Sequence, residues 1–259
     1  MSDPLVSVLV IARDAASTLP SLLNALQPLQ QQLSEVEIVV QIDDRTRDQT
    51  EVWARRAGAR VIHDTFDGFG AFKERGRRRC CGAWVLNLDA DERPDPQVLS
   101  AVARVVCGPW SHAWMLDIRT SIGGRPTRWG PFAAERRLRL FPRVLGHWDC
   151  SEQVHETPCV SVPIGGTLPG TVDHRSFLDA WDCLARHERY GIRAARQRSS
   201  PAQPWTAWTR ASLRAMRHTI VHGGLVAGPS GIILAWGQAR ATYLKWARTA
   251  DDAHEPQTV

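Results

Sequence analysis

Residues 83–92 read AWVLNLDADE, an apolar run from Ala83 to Leu88 that ends abruptly in Asp89-Ala90-Asp91-Glu92. Six apolar-rich residues are too few for a helix and suit a strand buried on both faces of a parallel sheet. The same signature recurs upstream. Leu5–Ala12 (LVSVLVIA) and Glu37–Asp43 (EIVVQID) are near-continuous runs rich in Val and Ile, and Ala59–His63 is a shorter one. Between them lie helical signals. Ser17-Thr18-Leu19-Pro20 offers a start, after which Leu22, Leu23, Leu26, Leu29 and Leu33 recur at helical spacing. Gln49–Ala57 reads as a second helix closed by Gly58, and Gly70–Cys81 as a third, strongly basic one.

Strand and helix alternating at this pitch predict an α/β fold built on a mainly parallel sheet, with ligands beyond the carboxyl ends of the strands. Those ends are where the acids gather: Asp14 after strand one, Asp43 and Asp44 at strand two, Asp89 and Asp91 at strand four. The first turn, Ala12-Arg13-Asp14-Ala15-Ala16, contains no glycine, which excludes the dinucleotide fingerprint, and no Walker-type phosphate loop is present. Beyond Pro94-Asp95-Pro96 the pattern gives a helix to about Val106, a strand around Trp114–Ile118, a Gly/Pro loop at Gly123–Pro131 and an alternating strand at Arg137–Phe141. From about Ser176 it turns helical, broken at Ser199–Pro204. The expected division is residues 1–174 as the α/β domain and 175–259 as a helical appendage.

With 259 residues, 43% hydrophobic and 23% charged, the composition is that of a globular chain and excludes disorder, collagen and coiled-coil rods. Six cysteines without a CxxC pair are neither a disulfide framework nor a zinc pattern, and fit a reducing compartment. The net charge of +5 is unevenly spread. Residues 175–249 hold 12 Lys/Arg against 3 Asp/Glu, whereas residues 1–174 hold 20 against 21. Five of the eleven Trp (Trp181, Trp205, Trp208, Trp236, Trp246) share that basic quarter. Trp beside Arg suits an anionic membrane interface, and equally suits base stacking. No secretory signal is visible, so a cytoplasmic location is expected. Thr219–Ala239 lacks Asp, Glu, Lys and Arg but is interrupted by Gly223, Gly224, Gly228, Pro229 and Gly231, so it reads as two helical pieces on or near a bilayer.

Asp89-Ala90-Asp91 carries the sharpest chemical signal. Two carboxylates one residue apart beyond a buried strand suit a hard divalent cation, Mg²⁺ or Mn²⁺, that shares its shell with substrate phosphates. Asp43 is placed to accept hydrogen bonds from a base or ribose. Lys73 and Arg75 are placed to neutralise a pyrophosphate, and Arg137 and Arg139 to present guanidinium groups to a diphosphate or a phosphorylated acceptor.

Taken in order, Ser7–Asp14 (SVLVIARD), Ile42–Thr50 (IDDRTRDQT), Asp67–Lys73 (DGFGAFK), Trp84–Glu92 (WVLNLDADE), Leu138–Phe141 (LRLF) and Val154–Glu156 (VHE) resemble the motifs of family 2 glycosyltransferases. The branch that adds sugars to the lipopolysaccharide core is the most similar, including the tail motifs Arg186–Tyr190 (RHERY) and Tyr243–Ala247 (YLKWA). The resemblance implies a GT-A fold with a C-terminal helical appendage, a nucleotide-diphosphate sugar donor, a divalent metal, inversion at the anomeric carbon, and a glycan or glycolipid acceptor. It places Ala12, Asp14, Asp43, Lys73, Asp89 and Arg139 around the donor and Asp91 and His174 at the metal. Inverting transfer also needs a carboxylate to take the acceptor's proton. Glu156 is the candidate, with Glu135, Asp149 and Glu152 as competitors.

Three positions depart from the family pattern: the bulky, charged Asp44-Arg45-Thr46-Arg47 loop, Glu74 where Asn is usual, and Pro142 after the Leu-Arg-Leu-Phe motif. The working expectation is a glycosyltransferase peripheral to the inner face of the cytoplasmic membrane, with no nucleic acid as partner. The alternatives are a sugar nucleotidyltransferase, a non-catalytic relative that binds donor or lipid, and a nucleic-acid-binding module.

Overall fold

In a computed structural model, which describes residues 5–126, 135–150, 157–177, 179–195, 203–221, 223, 225–226 and 228–247, the Val-rich run becomes the central strand. β1 (Val6–Ala12) is flanked by parallel β2 (Val36–Asp43) on one side and, on the other, by the run ending in Asp89, which is β4 (Trp84–Asp89). Strands covered on both faces need apolar residues at every position, and Val6, Val8, Leu9 and Val10 are wholly buried. β3 (Arg60–Asp64) extends this parallel half beyond β2.

Register brings the acidic ends together. Ala12 pairs with Ile42, Ile11 with Asp89, and Asp43 with Asp64, so all four strands finish along one edge. The second half of the sheet is mainly antiparallel: β5 (Glu92–Pro94), β6 (Ala113–Ile122), β7 (Arg125–Pro126), β8 (Glu135–Pro142), β11 (Ile164–Thr167) and β12 (Val172–Phe177). The order is β3-β2-β1-β4-β8-β6-β12-β5, with β7 and β11 beside β6, while β9 (Gly146–His147) and β10 (Cys159–Val160) form a separate pair.

Helices α1 (Leu19–Ala25), α2 (Gln27–Gln32), α3 (Thr50–Arg56), α4 (Phe69–Arg79) and α5 (Pro96–Val106) follow the strands. The single helix expected over Leu19–Leu33 is two. Pro28 has no N–H to donate into a continuing helix, so the chain restarts at Leu26 while Leu22, Leu26, Leu29 and Leu33 all stay buried. α5 starts on an Asp95 cap that accepts from Val98 N at 2.8 Å, and the other Asp95 oxygen accepts from Thr171 N at 2.8 Å. α4 lies close on the sheet because Gly76 has no side chain: a Cβ there would stand 2.0 Å from Gln41 Oε1 and 2.9 Å from Leu9 Cδ1.

The chain divides into two compact units, residues 1–118 with 135–174, and residues 119–134 with 175–259. The described residues 119–126 thus group with the second unit. That unit contains α6 (Ala180–Ala195), α7 (Pro204–Met216), a π-helical turn at Arg217–Val221, and α8 (Pro229–Ala247). α6 and α8 meet closely at Gly191, where a Cβ would lie 2.6 Å from the Ala241 carbonyl oxygen. A core of Ile122, Cys183 and Leu234 holds the unit. No helix of the described residues is long and apolar enough to cross a membrane.

Candidate active site

Asp89 closes β4 and Glu92 opens β5, so the Asp-Ala-Asp-Glu turn is pinned by strands at both ends. Glu92 Oε2 accepts from the Asp89 backbone N–H at 2.9 Å, closing the turn on itself. β5 pairs antiparallel with β12, setting His174 opposite Glu92. This non-local pairing brings His174 Nε2 to 3.3 Å from Asp91 Oδ2.

Beneath the turn lies Arg139 of β8, buried at 4% exposure. Its Nη1 donates to Asn87 Oδ1 at 2.9 Å, and its Nη2 to Asp89 Oδ2 at 2.8 Å and Glu92 Oε1 at 2.5 Å. The Arg139 guanidinium, expected beside the donor, is turned into the protein and fastens the acidic turn from below. Neither sequence spacing nor strand alternation signalled this, because the partners arrive from β4 and β5.

Burial drives the Asp89 carboxyl up, but the Arg139 and Lys73 charges outweigh it and hold the group well below the usual carboxylate range. Glu92 is more deeply enclosed, and burial together with the Asp89 charge raises its carboxyl to about 7 despite Arg139. For His174, burial is the largest influence and lowers the pKa, yet the hydrogen bond to Asp91 and the charges of Asp91, Glu92 and Asp89 leave it raised. A positive group is thus favoured where these acids converge.

Lys73 emerges from α4 almost wholly buried, its Nζ 3.4 Å from Asp89 Oδ1 and 5.9 Å from the Phe69 ring centre. Asp89 Oδ1 is buried and carries no hydrogen bond. The pair of Asp91 and His174, beside the ionised Asp89, fits a hard divalent cation: Asp91 and His174 would hold it. The described residues contain no group of three His, Cys, Asp or Glu that could enclose a metal. Two protein ligands suit Mg²⁺ or Mn²⁺, which keep waters and accept substrate oxygens.

Asp43, at the end of β2, is buried and already engaged. Arg45 Nε and Nη2 donate to its two oxygens at 3.1 and 2.8 Å, and Arg45 N to Oδ1 at 3.2 Å. Burial raises the Asp43 carboxyl, but these bonds more than compensate and leave it below its ordinary value. The charged loop thus supplies its own partner for the residue expected to meet the nucleoside. Ala12 is buried at the end of β1; Asp14, at φ 47°, accepts from Arg47 N at 2.8 Å and ties the two loops together. Arg75, expected to neutralise a pyrophosphate, is paired with Asp64 at 2.8 Å and Asp67 at 2.9 Å.

Glu74 is buried on α4 and receives Arg77 at 2.7 and 2.8 Å, Arg78 at 2.9 Å and the Trp148 N–H at 3.1 Å. Burial opposes its ionisation, but these donors pull its carboxyl from the ordinary 4.5 down to about 2. A depressed acid contributes stability above its unfolded pKa that is lost as the pH falls toward the folded one. Glu74→Gln is therefore expected to be destabilised at pH 7 and to lose less further stability than the native chain between pH 4.5 and 2. Urea titrations across that window check it; parallel curves would refute the clamp.

Glu135 is exposed and bonds Arg137 at 2.8 Å, and Asp149 is exposed. Glu156 and Glu152 lie outside the described residues.

The family model described as "Glycosyl transferase family 2" matches residues 7–160. The lipopolysaccharide core biosynthesis glycosyltransferase LpsC of Rhizobium meliloti is 26% identical over 153 residues, covering 56% of this chain and 54% of that protein. A TPR repeat-containing protein of Synechococcus elongatus is 35% identical over 88 residues, 34% of this chain and 20% of that protein. The chain thus spans about half the length of the first relative and a fifth of the second. Among solved structures, S. aureus TarS is similar over 83% of this chain and 44% of its own, with a TM-score of 0.48 and 14% identity. Glucosyl-3-phosphoglycerate synthase from Mycobacterium tuberculosis, in complex with Mn²⁺, UDP and glucosyl-3-phosphoglycerate, gives 0.36 and 22% over 48% of this chain and 45% of its own.

Proposed function

The chain belongs to glycosyl transferase family 2, and from that premise we propose that it is an inverting, metal-dependent glycosyltransferase that moves a hexose from a nucleotide-diphosphate sugar to a lipid-linked glycan such as lipopolysaccharide core. The observation that carries the reading is the Asp91–His174 pair, next to Asp89 at the carboxyl edge of the parallel strands. The relative named for lipopolysaccharide core biosynthesis supports the acceptor class.

In this reading the acceptor oxygen attacks the anomeric carbon while the bond from that carbon to the diphosphate oxygen breaks, and the nucleoside diphosphate departs with its electron pair. A bound Mg²⁺ or Mn²⁺ supplies Lewis-acid neutralisation of that leaving group. Glu156 accepts the acceptor's proton as general base. Asp91 and His174 would be the cation's protein ligands, and Asp89 is kept ionised by Arg139 and Lys73. The Lys73 ammonium adds fixed positive charge beside the donor, where a low-dielectric wall strengthens it. Asp43 meets the nucleoside with Arg45 as part of the surface offered.

The enzyme works at the inner face of the cytoplasmic membrane, a reading supported by the basic second unit and by Trp181, Trp205, Trp208 and Trp236, all exposed.

Calorimetric titration with a panel of nucleotide-diphosphate sugars, with and without Mn²⁺, tests the transferase reading. One donor should bind in a metal-dependent way; no binding under either condition overturns it. His174→Ala is expected to raise the Mn²⁺ concentration for half-maximal activity about tenfold or more, since one of two protein ligands is lost. An unchanged Mn²⁺ curve would remove His174 from the site.

A further inference from the structure

Within the helical unit, Arg210, Arg214 and Arg217 recur at four- and three-residue steps and therefore share one face of α7 and its π-helical extension. They line a cavity of about 470 Å³ whose opposite wall is the face of α8 carrying Gln238, Lys245 and Trp246, with Gly191 and Ala194 of α6 also lining it. Four cations converge on this cavity, and among the described residues no carboxylate lines it.

Two further cations on these helices are neutralised by carboxylates. Arg186 bonds Asp182 at 3.0 Å, and Arg240 bonds Glu188 at 3.0 Å. In the cavity two of the three guanidinium groups are oriented by neutral partners instead. Arg210 stacks 3.7 Å from the centre of the Trp246 ring, and Arg214 Nη2 donates to Gln238 Oε1 at 3.2 Å. Such partners fix direction without cancelling charge, so the cavity keeps an anion-binding field.

The chain leading from this face is apolar and exposed: Met216, Ile220, Val221, Leu225 and Val226, with Trp236 on α8. Large apolar side chains left in solvent beside a cluster of Arg and Lys are the signature of an element lying in a bilayer interface.

We propose that the cavity lined by α6, α7 and α8 binds the phosphate of an anionic membrane lipid, while the apolar turn beside it enters the acyl layer. The phosphate is met by Arg210, Arg214, Arg217 and Lys245, and the bilayer, not a soluble phosphate, is the source that also covers the apolar turn. The inference rests on the membrane part of the functional reading and is independent of the sugar-transfer chemistry.

The test is co-sedimentation of the full chain with phosphatidylcholine vesicles, plain or doped with phosphatidylglycerol. Two double variants remove equal charge: Arg217→Gln with Lys245→Gln inside the cavity, and Arg186→Gln with Arg240→Gln outside it. Thermal melts and Mn²⁺-dependent donor binding report that each is folded. The cavity pair should weaken binding to the doped vesicles about thirtyfold, the worth of two basic side chains at an anionic surface, and the outside pair much less. Equal losses would mean a diffuse surface charge and overturn the site, as would no loss in the cavity pair. Inorganic phosphate that abolishes vesicle binding at concentrations too low to screen charge would identify a soluble-phosphate site and overturn the lipid assignment. Single-stranded DNA binding lost in the cavity pair while vesicle binding persists would do so in favour of nucleic acid. A native chain that binds donor but no vesicle defeats the membrane reading alone; one that binds doped vesicles but no donor defeats the transferase reading and leaves the lipid site standing.

Discussion

Asp91→Asn is expected to reduce turnover about a thousandfold or more, equivalent to roughly 4 kcal/mol of transition-state stabilisation, and to abolish metal-dependent donor binding. Its effect on folding should be small, within about 1 kcal/mol. The contrast follows from the contacts. Asp91 is half-buried, and His174 at 3.3 Å is the ion-pair partner of its carboxylate. A side chain with so little structural duty, at the mouth of a turn pinned by Arg139 from below, is placed for something that comes from outside. The variant has a second readout. The His174 pKa, pulled down by burial but raised on balance by Asp91 and its acidic neighbours, should fall when the Asp91 charge is removed, which an NMR titration of the imidazole follows. Turnover within tenfold of the native value would remove the cation from the mechanism, whatever the histidine does.

The parts of this site that could be read in advance are those written locally. The Val- and Leu-rich runs of β1, β2 and β4 announce strands buried on both faces, and acids directly after such runs must lie on one edge of a parallel sheet. Asp89 and Asp91 follow from that alone. What escaped reading depends on strands far apart in sequence. Arg139 sits on an alternating strand, and alternation states which residues share a face but not what the neighbouring strand brings to it. Only the pairing of β8 with β4 reveals Asn87 and Asp89 as its partners. Glu92 was legible as an acid after the motif, not as the carboxylate that closes the turn. The family resemblance places His174 with Asp91, but it is the pairing of β12 with β5, about 80 residues apart in sequence, that brings the two side chains together. Side-chain competition hides in the same way. Arg45 stands two residues from Asp43, and nothing in their spacing distinguishes a solvent-facing arginine from one that clasps its neighbour. The leucine spacing alone gives one continuous helix; the structure restarts it at Pro28 without losing the buried face.

Arg139→Met should destabilise the fold by about 3–5 kcal/mol at neutral or higher pH, because it removes the one guanidinium shared by two enclosed carboxylates. The magnitude belongs to the orphaned charges and not to the ion pairs as such: a methionine of similar volume fills the space but leaves Asp89 and Glu92 facing each other at the end of β4. The pH dependence separates this cause from a packing defect. In the native chain Glu92, raised from 4.5 to about 7, already favours the folded state most when protonated, a contribution lost as the pH rises through that window. Asp89 behaves oppositely: held well below its ordinary value, it stabilises the fold above the unfolded pKa and loses that contribution on acidification. Without Arg139 both carboxyls move upward, Glu92 further above its ordinary value and Asp89 against the remaining charges of Lys73 and His174. The penalty should accordingly be greatest near pH 8 and shrink toward about pH 5.5, as protons replace the missing cation. Adding Glu92→Gln to Arg139→Met removes one of the two charges and should recover part of the loss at pH 8 but little at pH 5.5. Urea denaturation of the native chain and both variants at the two pH values measures all of this. A loss of the same size at both pH values, untouched by Glu92→Gln, would show that Arg139 merely fills space beneath the turn, and the acidic turn would then need another source of its rigidity.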